Sequence, residues 1–277
     1  MLDKVLVPTD FSKYAYKTID CITQIPGLKE IVLLHVADLT RLSLYKDSAL
    51  EDAQIRLNEQ EKYLKSQGIK AKARLETIRE GSVASAIQKV ADEEKTNLIA
   101  MPSRGKSLIG GIFLGNVSLD TLRYGTSDLL VIHYKNIDDQ LQLLCPKLFS
   151  RILYATDFSD PSMAVLSKIK GMPGLNSVDL TNVVSGGESN EEIDAKVHEA
   201  ANTLHTIGDS LRRDGFDVRV HVPVGNPTDA IRDVANRMND SLIVIGSTGK
   251  SKSKQSLGST AFDVTRTADR PVLIFRV

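Results

Sequence analysis

Two segments of the sequence carry residues that could bind an anionic ligand. In the first, Asp157 follows a short apolar run within YATDFS, and the second, GSTGKSKSKQSLGST, runs from Gly246 to Thr260. Glycines let the main chain approach a phosphate, and a helix starting after Gly258 would present free N–H groups and the positive end of its dipole. The hydroxyls of Ser259 and Thr260 can cap such a helix and donate to phosphate oxygens. Three lysines of this segment add positive charge: Lys250, Lys252 and Lys254.

The same segments allow structural interpretations. Serine and glycine are common at strand-to-helix turns that bind nothing, the lysines would then be solvated, and Asp157 could cap a helix starting near Ser159. The tripeptide GKS at 249–251 resembles the end of a Walker A loop, but Val244 stands where that loop requires glycine. The segment also follows the fourth predicted strand of its half, whereas a P-loop normally follows the first. A P-loop ATPase is therefore not the interpretation we adopt.

The chain contains an internal repeat. KVLVPTDFS at 4–12 returns as RILYATDFS at 151–159, and IPGLKEIVLLHV at 25–36 returns as MPGLNSVDLTNV at 172–183, each 147 residues later. Further along, REGSVASAI at 79–87 matches PVGNPTDAI at 223–231, 144 residues later. Self-similarity of this kind indicates a tandem duplication. We predict one domain over 1–136 (repeat one), a linker over 137–148 and a second domain over 149–277 (repeat two).

Within each repeat, short apolar runs alternate with helical patterns. This order predicts right-handed crossovers and, in each domain, a five-stranded doubly wound parallel α/β sheet with helices on both faces. The clearest helices are predicted from a Ser48–Glu51 capping box to Gln67, and from Ser189 to the residues before Gly215. Ligands bind such sheets beyond the carboxyl ends of the strands, where strand order reverses. The strands predicted in repeat one are Val5–Pro8, Ile31–Val36, Ala71–Glu76, Leu98–Met101 and Leu129–His133.

Composition excludes several classes of function. The 277 residues include 35 Lys plus Arg and 35 Asp plus Glu, so the chain carries no basic surface excess for nucleic acid or anionic lipid. No apolar run approaches the roughly 20 residues that span a bilayer, and we expect a cytoplasmic protein that binds neither membrane nor nucleic acid. Cys21 and Cys145 form no metal-binding or redox motif, so we assign no metal ligands.

These motifs resemble the universal stress protein family over essentially the whole chain. In that family the first strand ends in Asp, the second ends in His-Val, and a loop has the form G-x2-G-x9-G-[ST]. Repeat one shows VPTDFS, LLHV at 33–36, and nine residues between Gly105 and Gly115; repeat two shows YATDFS, TNVV at 181–184, and eight residues between Gly249 and Gly258. The resemblance implies a tandem member with two Rossmann-like domains of the adenine nucleotide alpha hydrolase type.

The resemblance also implies an adenine nucleotide as ligand, usually ATP with or without magnesium, and leaves ADP and AMP open. Met101 replaces the first loop glycine in repeat one, and its side chain could exclude the ligand, whereas the loop of repeat two is one residue short, which could shift the following helix. We therefore rank repeat two as the better site. The residues carried over to repeat two are Asp157, Val183, Gly246, Gly249, Gly258, Ser259 and Thr260, and those carried over to repeat one are Asp10, Val36, Gly105, Gly115 and Asn116. Asn116 stands in place of Ser or Thr and can cap a helix through its amide.

Three functions follow from this resemblance. The first is a nucleotide-binding stress or signalling module with little turnover, the second is a scaffold that binds no nucleotide, and the third is a slow ATPase. We assign no catalytic residue, because neither loop brings an obvious water-positioning carboxylate or arginine. His35 of repeat one becomes Asn182 in repeat two, which argues against a shared catalytic histidine. Single-repeat members pair through their last strands, so strands at 129–134 and 271–276 are expected to form a pseudo-dimer within the chain; a homodimer and an unknown protein partner are further expectations.

Overall fold

The computed structural model describes residues 2–41, 46–104, 114–137, 140–142, 147–249 and 257–277. The chain divides into two units, Met1–Leu141 and Gln142–Val277, which contain repeat one and repeat two. Among the residues discussed above, five lie outside the described ranges: Gly105, Cys145, Lys250, Lys252 and Lys254.

The first unit is a parallel sheet in the order β3-β2-β1-β4-β5. Its strands are nearly continuous apolar runs, as expected where helices cover both faces of a sheet, and Val5, Leu6 and Val7 at its centre are fully buried. The elements, in chain order, are β1 (Lys4–Pro8), α1 (Lys13–Ile22), β2 (Glu30–Asp38), α2 (Lys46–Ser66), β3 (Lys70–Ile78), α3 (Val83–Glu93), β4 (Leu98–Pro102), α4 (Asn116–Tyr124) and β5 (Asp128–Ile132). Two short strands that follow, β6 (Lys135–Ile137) and β7 (Gln140–Gln142), pair with each other.

The second unit repeats this arrangement in the order β10-β9-β8-β11-β12. Every strand pair is parallel, and the first strand of the repeat, β8, lies beside the fourth, β11, with Ala155 opposite Ile245. The elements are β8 (Ile152–Ala155), α5 (Asp160–Lys170), β9 (Ser177–Thr181), α6 (Asn190–Arg213), β10 (Asp217–His221), α7 (Pro227–Met238), β11 (Leu242–Gly246), α8 (Ser259–Thr267) and β12 (Val272–Phe275).

Strand order sets the faces that the helices cover. From β8 the chain steps outward through α5 and α6 to β10, then returns through α7 to β11 and continues through α8 to β12. Right-handed crossovers place α5 and α6 on one face and α7 and α8 on the other. Each unit is thus a five-stranded doubly wound α/β sheet, and the fold class expected from the sequence is confirmed.

Helix boundaries match the sequence in repeat two better than in repeat one. α6 begins as predicted: Ser189 is its N-cap, and the hydroxyl of Ser189 accepts a hydrogen bond from Glu192 N at 3.2 Å. The capping box predicted at Ser48 is wrong, because α2 already begins at Lys46 and Ser48 lies inside it. Asp47 in the first turn suits the positive end of the helix dipole, so the helix extends past the expected cap.

Two buried carboxyl groups of the second unit form a cluster with neighbouring charged side chains. Asp179 of β9 and Asp240, just before β11, are both 0% exposed. Burial acts to raise the pKa of Asp179, but His221, whose Nε2 lies 3.6 Å from Asp179 Oδ1, and hydrogen bonds from Arg219 outweigh it and hold the pKa below its usual range. Arg219 donates from Nε to Asp179 Oδ1 at 2.7 Å. Burial, together with the negative charge of Asp179, raises the pKa of Asp240 above its usual range. One carboxyl of the pair therefore keeps a proton while the other is ionised.

Replacing Asp240 with asparagine should remove a pH-dependent loss of stability. The pKa of Asp240 is higher in the folded chain than in the unfolded chain, so between the two pKa values the folded chain keeps a proton that the unfolded chain has released. The free energy of unfolding therefore falls as pH rises above about 4 through this interval, by at most about 1.4 kcal/mol per pH unit. We expect Asp240→Asn to gain in thermal unfolding temperature, relative to wild type, as pH rises from about 4 to about 7.

The matched control is Asp233→Asn, at an exposed position of α7. Its unfolding temperature should follow the wild-type pH profile. If Asp240→Asn followed that profile as well, the retained proton would have to be assigned to another group.

Candidate functional site

A cleft of about 670 Å³ opens at the carboxyl ends of β8, β9 and β11 in the second unit. Strand order reverses between β8 and β11, and open α/β sheets bind ligands at such a point. The volume falls within the range of about 300–1,000 Å³ that is usual for small-molecule sites. All seven residues that the sequence assigned to repeat two line this cleft: Asp157, Val183, Gly246, Gly249, Gly258, Ser259 and Thr260.

Asp157 is held at the end of β8 by the turn that leads into α5. Its Oδ1 accepts hydrogen bonds from Ser159 N at 3.1 Å and from Ser159 Oγ at 2.6 Å. Ser159 is the N-cap of α5, and its hydroxyl accepts from Ser162 N at 3.4 Å. The interpretation of Asp157 as the helix cap is therefore wrong. Asp157 orients the side chain of Ser159, and Ser159 caps α5.

Repeat one builds the same turn around Asp10. Its Oδ1 accepts from Ser12 N at 3.0 Å, and Ser12 is the N-cap of α1. The phenylalanine between them adopts a left-handed backbone in both repeats, with φ of 60° at Phe11 and 63° at Phe158. Bulky residues rarely adopt this conformation, and it persists only where the surrounding structure enforces it. The TDFS sequence thus encodes one strained turn that places the aspartate at the end of the strand.

The main chain of Val183 faces the cleft. Its neighbours Asn182 and Val184 both donate their main-chain N–H groups toward the β10 side, at 3.3 and 3.0 Å. The main-chain N–H and C=O groups of successive residues in a strand point alternately to its two neighbouring strands. Those of Val183 therefore point away from β10, toward the β8 side. On that side β8 has ended, since the last main-chain bond from its end joins Thr156 N to Thr181 O at 3.0 Å. A donor and an acceptor therefore point into the cleft from one residue.

Two glycines of the loop line the cleft, and one of them approaches the opposite wall closely. A Cβ at Gly249 would clash with Asp157 Oδ2, so the absence of a side chain lets the loop meet the aspartate. A Cβ at Gly246 would have only ordinary contacts, the nearest being Thr248 O at 3.4 Å and Ser162 Cα at 3.6 Å. The predicted meeting of the aspartate with the glycine segment across one crevice is thus confirmed for Gly249.

The N-terminus of α8 forms another part of the cleft. Gly258 is its N-cap and the helix has no side-chain cap. The prediction that Ser259 and Thr260 cap this helix is wrong, because they are its first two residues and a capping side chain must precede them. Both still line the cleft. The first turn of α8 therefore presents its N–H groups at the cleft without a side-chain cap, as anion-binding helix ends do.

The base of the glycine loop is closed in the same way in both repeats. Gly258 donates its N–H to Ser247 O at 2.8 Å, and Gly115 donates to Ser103 O at 2.8 Å. The loop of repeat two is one residue shorter, yet this bond keeps the helix start in the same relation to the strand end. The expected shift of α8 is therefore not observed.

The remaining assignments in repeat one are less complete. Val36 lies within β2, opposite Glu76 of β3. Gly115 is the N-cap of α4 and Asn116 its first residue, with no side-chain cap, so the prediction that Asn116 caps the helix is wrong for the same reason as at Ser259. Gly105 lies outside the described residues.

Met101 is 4% exposed within β4, and Pro102, not Met101, is the counterpart of Gly246. The residue after each of these strand ends donates its main-chain N–H to the neighbouring strand at 2.8 Å, Ser103 to Ile132 O and Ser247 to Phe275 O. The prediction that Met101 replaces the first loop glycine is therefore wrong.

The sequence missed the wall contributed by α6. Four of its residues line the cleft on the side of β9: Lys196, Glu199, Ala200 and Thr203. Their spacing of three and four is that of one helical face, but only the position of α6 in the fold shows that this face reaches the strand ends. Lys196 is tied to the loop that precedes α6, donating to Gly186 O at 3.2 Å and pairing with Glu192 at 2.5 Å.

Comparison with known proteins identifies the family. A model of the universal stress protein family matches residues 1–133 and 148–276. The chain belongs to the universal stress protein family. Universal stress protein G of Escherichia coli O157:H7 is 28% identical over 143 residues, which cover 52% of this chain and 99% of the relative. A universal stress protein of Methanocaldococcus jannaschii is 27% identical over 155 residues, covering 47% of this chain and 96% of the relative.

Solved structures of universal stress proteins match both repeats together. The structure from Archaeoglobus fulgidus DSM 4304 is 27% identical, has a TM-score of 0.72 and covers 99% of this chain and 96% of its own. A putative universal stress protein from Pseudomonas aeruginosa is 18% identical with a TM-score of 0.70, a likeness that shows the fold alone.

Of the helices in the described ranges, none has the length and hydropathy needed to cross a membrane.

One sequence difference between the two universal stress protein domains is structural. His35 Nδ1 donates to Thr9 O at 2.8 Å, and Asn182 Nδ2 donates to Thr156 O at 2.8 Å. Either side chain thus ties the second strand of its repeat to the residue before the aspartate. The exchange of His for Asn preserves this bond, so no catalytic role is needed to account for either residue.

Replacing Gly249 with alanine should destabilise the second domain, whereas Gly246→Ala should not. The new Cβ at position 249 would force the Asp157 carboxylate out of its bonds with Ser159, and losing one such bond costs about 1 kcal/mol. At position 246 the Cβ has ordinary contacts, and alanine in a strand restricts the unfolded chain, so stability should be unchanged or slightly higher. Urea unfolding of both variants tests this pair. Equal stabilities would show that the Asp157 side chain moves at no cost.

Proposed function

We propose that the second unit binds an adenine nucleotide, ATP foremost, and acts as a stress-response or signalling module with little turnover. The observation that carries the proposal is that one cleft of about 670 Å³ combines a carboxylate, an open strand edge and a helix N-terminus that has no side-chain cap. These are the groups needed for the ribose, the base and the phosphates of one ligand.

The base is assigned to the strand edge at Val183. Adenine carries an acceptor and a donor side by side on its Watson–Crick edge, and the N–H and C=O of Val183 supply the complementary pair. Asp157 lies beside this edge, because Asn182 bonds to Thr156 O at 2.8 Å and so holds the two strand ends together. As a hydrogen-bond acceptor, the carboxylate of Asp157 suits the exocyclic amino group of the base or the hydroxyls of ribose.

The phosphates are assigned to the start of α8. The first helical residues, Ser259 and Thr260, offer main-chain N–H groups and hydroxyls, and the helix dipole favours negative charge there. Phosphates placed near Asp157 would meet its negative charge, so the ligand is oriented with its base toward β9 and its phosphates toward α8.

The proposal of little turnover rests on the residues at the phosphate end. The described residues of the loop and of the helix start, 247–249 and 258–261, carry no carboxylate to position an attacking water and no arginine to stabilise transferred charge. The carboxylate beside Gly249, Asp157, is engaged by Ser159. A bound nucleotide in such a site would act by favouring one conformation or one partner surface of the protein.

Nucleotide recovered from protein purified without added ligand is the first test. We expect about one equivalent of ATP or ADP per chain on denaturation and chromatography, and, once bound nucleotide has been removed from native protein, a single site by calorimetric titration with ATP and magnesium. Asp157→Ala should weaken binding at least about tenfold, since it removes a charge-assisted hydrogen bond worth about 1.5–3 kcal/mol. Asp10→Ala, the matched change in the first domain, should leave binding at its wild-type value.

A different pattern would contradict the assignment. If Asp10→Ala abolished binding and Asp157→Ala did not, the ligand would sit in the first domain. If wild-type protein bound no nucleotide at millimolar ATP, the scaffold function would stand and the nucleotide-binding function would fall.

A further inference from the structure

The two domains differ in the residues that surround the phenylalanine of the TDFS turn. Helices α2 and α6 follow the same offset of 147 residues as the strands before them, because their buried residues coincide under it: Ala53, Leu57 and Leu64 in α2 against Ala200, Leu204 and Leu211 in α6. Under this alignment Asp52 and Arg56 correspond to Glu199 and Thr203.

In the second domain, the four positions near this turn are open to the cleft. Each lines it with its own side chain or main chain: Phe158, Asn182, Glu199 and Thr203. Thr203 and Asn182 are short, so the wall they form leaves room beside the Phe158 ring.

In the first domain, the counterparts contact one another. The Phe11 ring centroid lies 4.6 Å from that of His35, and Arg56 Cζ lies 5.6 Å from the Phe11 centroid. Arg56 Nε is in turn 3.0 Å from Asp52 Oδ2. His35 is held on its other side by Thr9 O at 2.8 Å. We call His35, Phe11 and Arg56 the Phe11 stack.

We propose that the Phe11 stack closes the base-binding end of the first domain and limits the chain to one bound nucleotide. This inference rests on the proposed function of the second domain. A purine ring entering beside Val36 would have to move the guanidinium of Arg56 off the aromatic face and away from its carboxylate partner. It would also meet an imidazole ring where the second domain has only an amide.

Met101 does not account for this closure. It corresponds to Ile245 of the second domain, an apolar residue of similar size that lines the cleft there. Both domains thus carry a large apolar side chain at this position, so the closure is assigned to Arg56 and His35.

Installing the residues of the second domain in the first tests the closure. The opened variant carries Arg56→Thr and His35→Asn in the full chain, and Lys62→Thr, at an exposed position of the same helix, is the matched control. Calorimetric titration of nucleotide-free protein with ATP and magnesium counts the sites. We expect one site in wild type and in the control, and two in the opened variant. Adding Gly249→Val, which blocks the second domain, should leave the opened variant with one site.

The outcomes separate this inference from the proposed function. One site in wild type and one in a folded opened variant would overturn the closure and keep the proposed function. No site in wild type but one in the opened variant would overturn the proposed function and keep the closure. No site in either would overturn both. If the opened variant failed to fold by circular dichroism, Arg56→Thr alone is measured instead, and a second, weaker site is expected; its absence would overturn the closure.

Discussion

The pairing of β8 with β11 is the constraint on which the cleft depends. A parallel sheet that is covered on both faces must send its right-handed crossovers in two directions, and the chain changes direction between these two strands. The helices that leave them, α5 and α8, diverge to opposite faces, so neither covers the strand ends between them. Asp157 and the loop glycines meet there because the topology leaves that place open. The strained turn at Phe158 and the close approach at Gly249 are local adjustments to a space that the sheet creates.

Much of the fold and the place of the cleft could be predicted from the sequence because each motif occurs in both halves of the chain. Apolar runs and a fixed offset indicated two similar parallel sheets, and topology then indicated which strand ends would carry a site. The cap of α8 could not be predicted, because a cap is defined by which residue takes the extended backbone just before the helix, and Gly258 and Ser259 are adjacent candidates. The α6 wall was missed for another reason. Thr203 is an unremarkable helix residue until the position of α6 over the strand ends is known.

The two copies show how side chains near the site of a duplicated domain can change while the hydrogen bonds that hold its strand ends together are kept. His35 and Asn182 make the same bond to the preceding threonine carbonyl, so the frame tolerates both residues. Their volumes differ, and the difference falls on the space beside the phenylalanine ring. A sequence comparison records only that a histidine was exchanged. The structure separates what the exchange preserves, a hydrogen bond, from what it alters, the room beside the aromatic ring.

The bond that closes the base of each glycine loop has a consequence for evolution and for engineering. Ser247 and Gly258, like Ser103 and Gly115, are joined at the loop base whatever number of residues lies between them. Loop length is thereby uncoupled from the place where the next helix begins, and insertions or deletions at this point need no compensation in the sheet. A reporter peptide inserted between Gly249 and Gly258 would therefore leave both Gly249 and the start of the following helix in place.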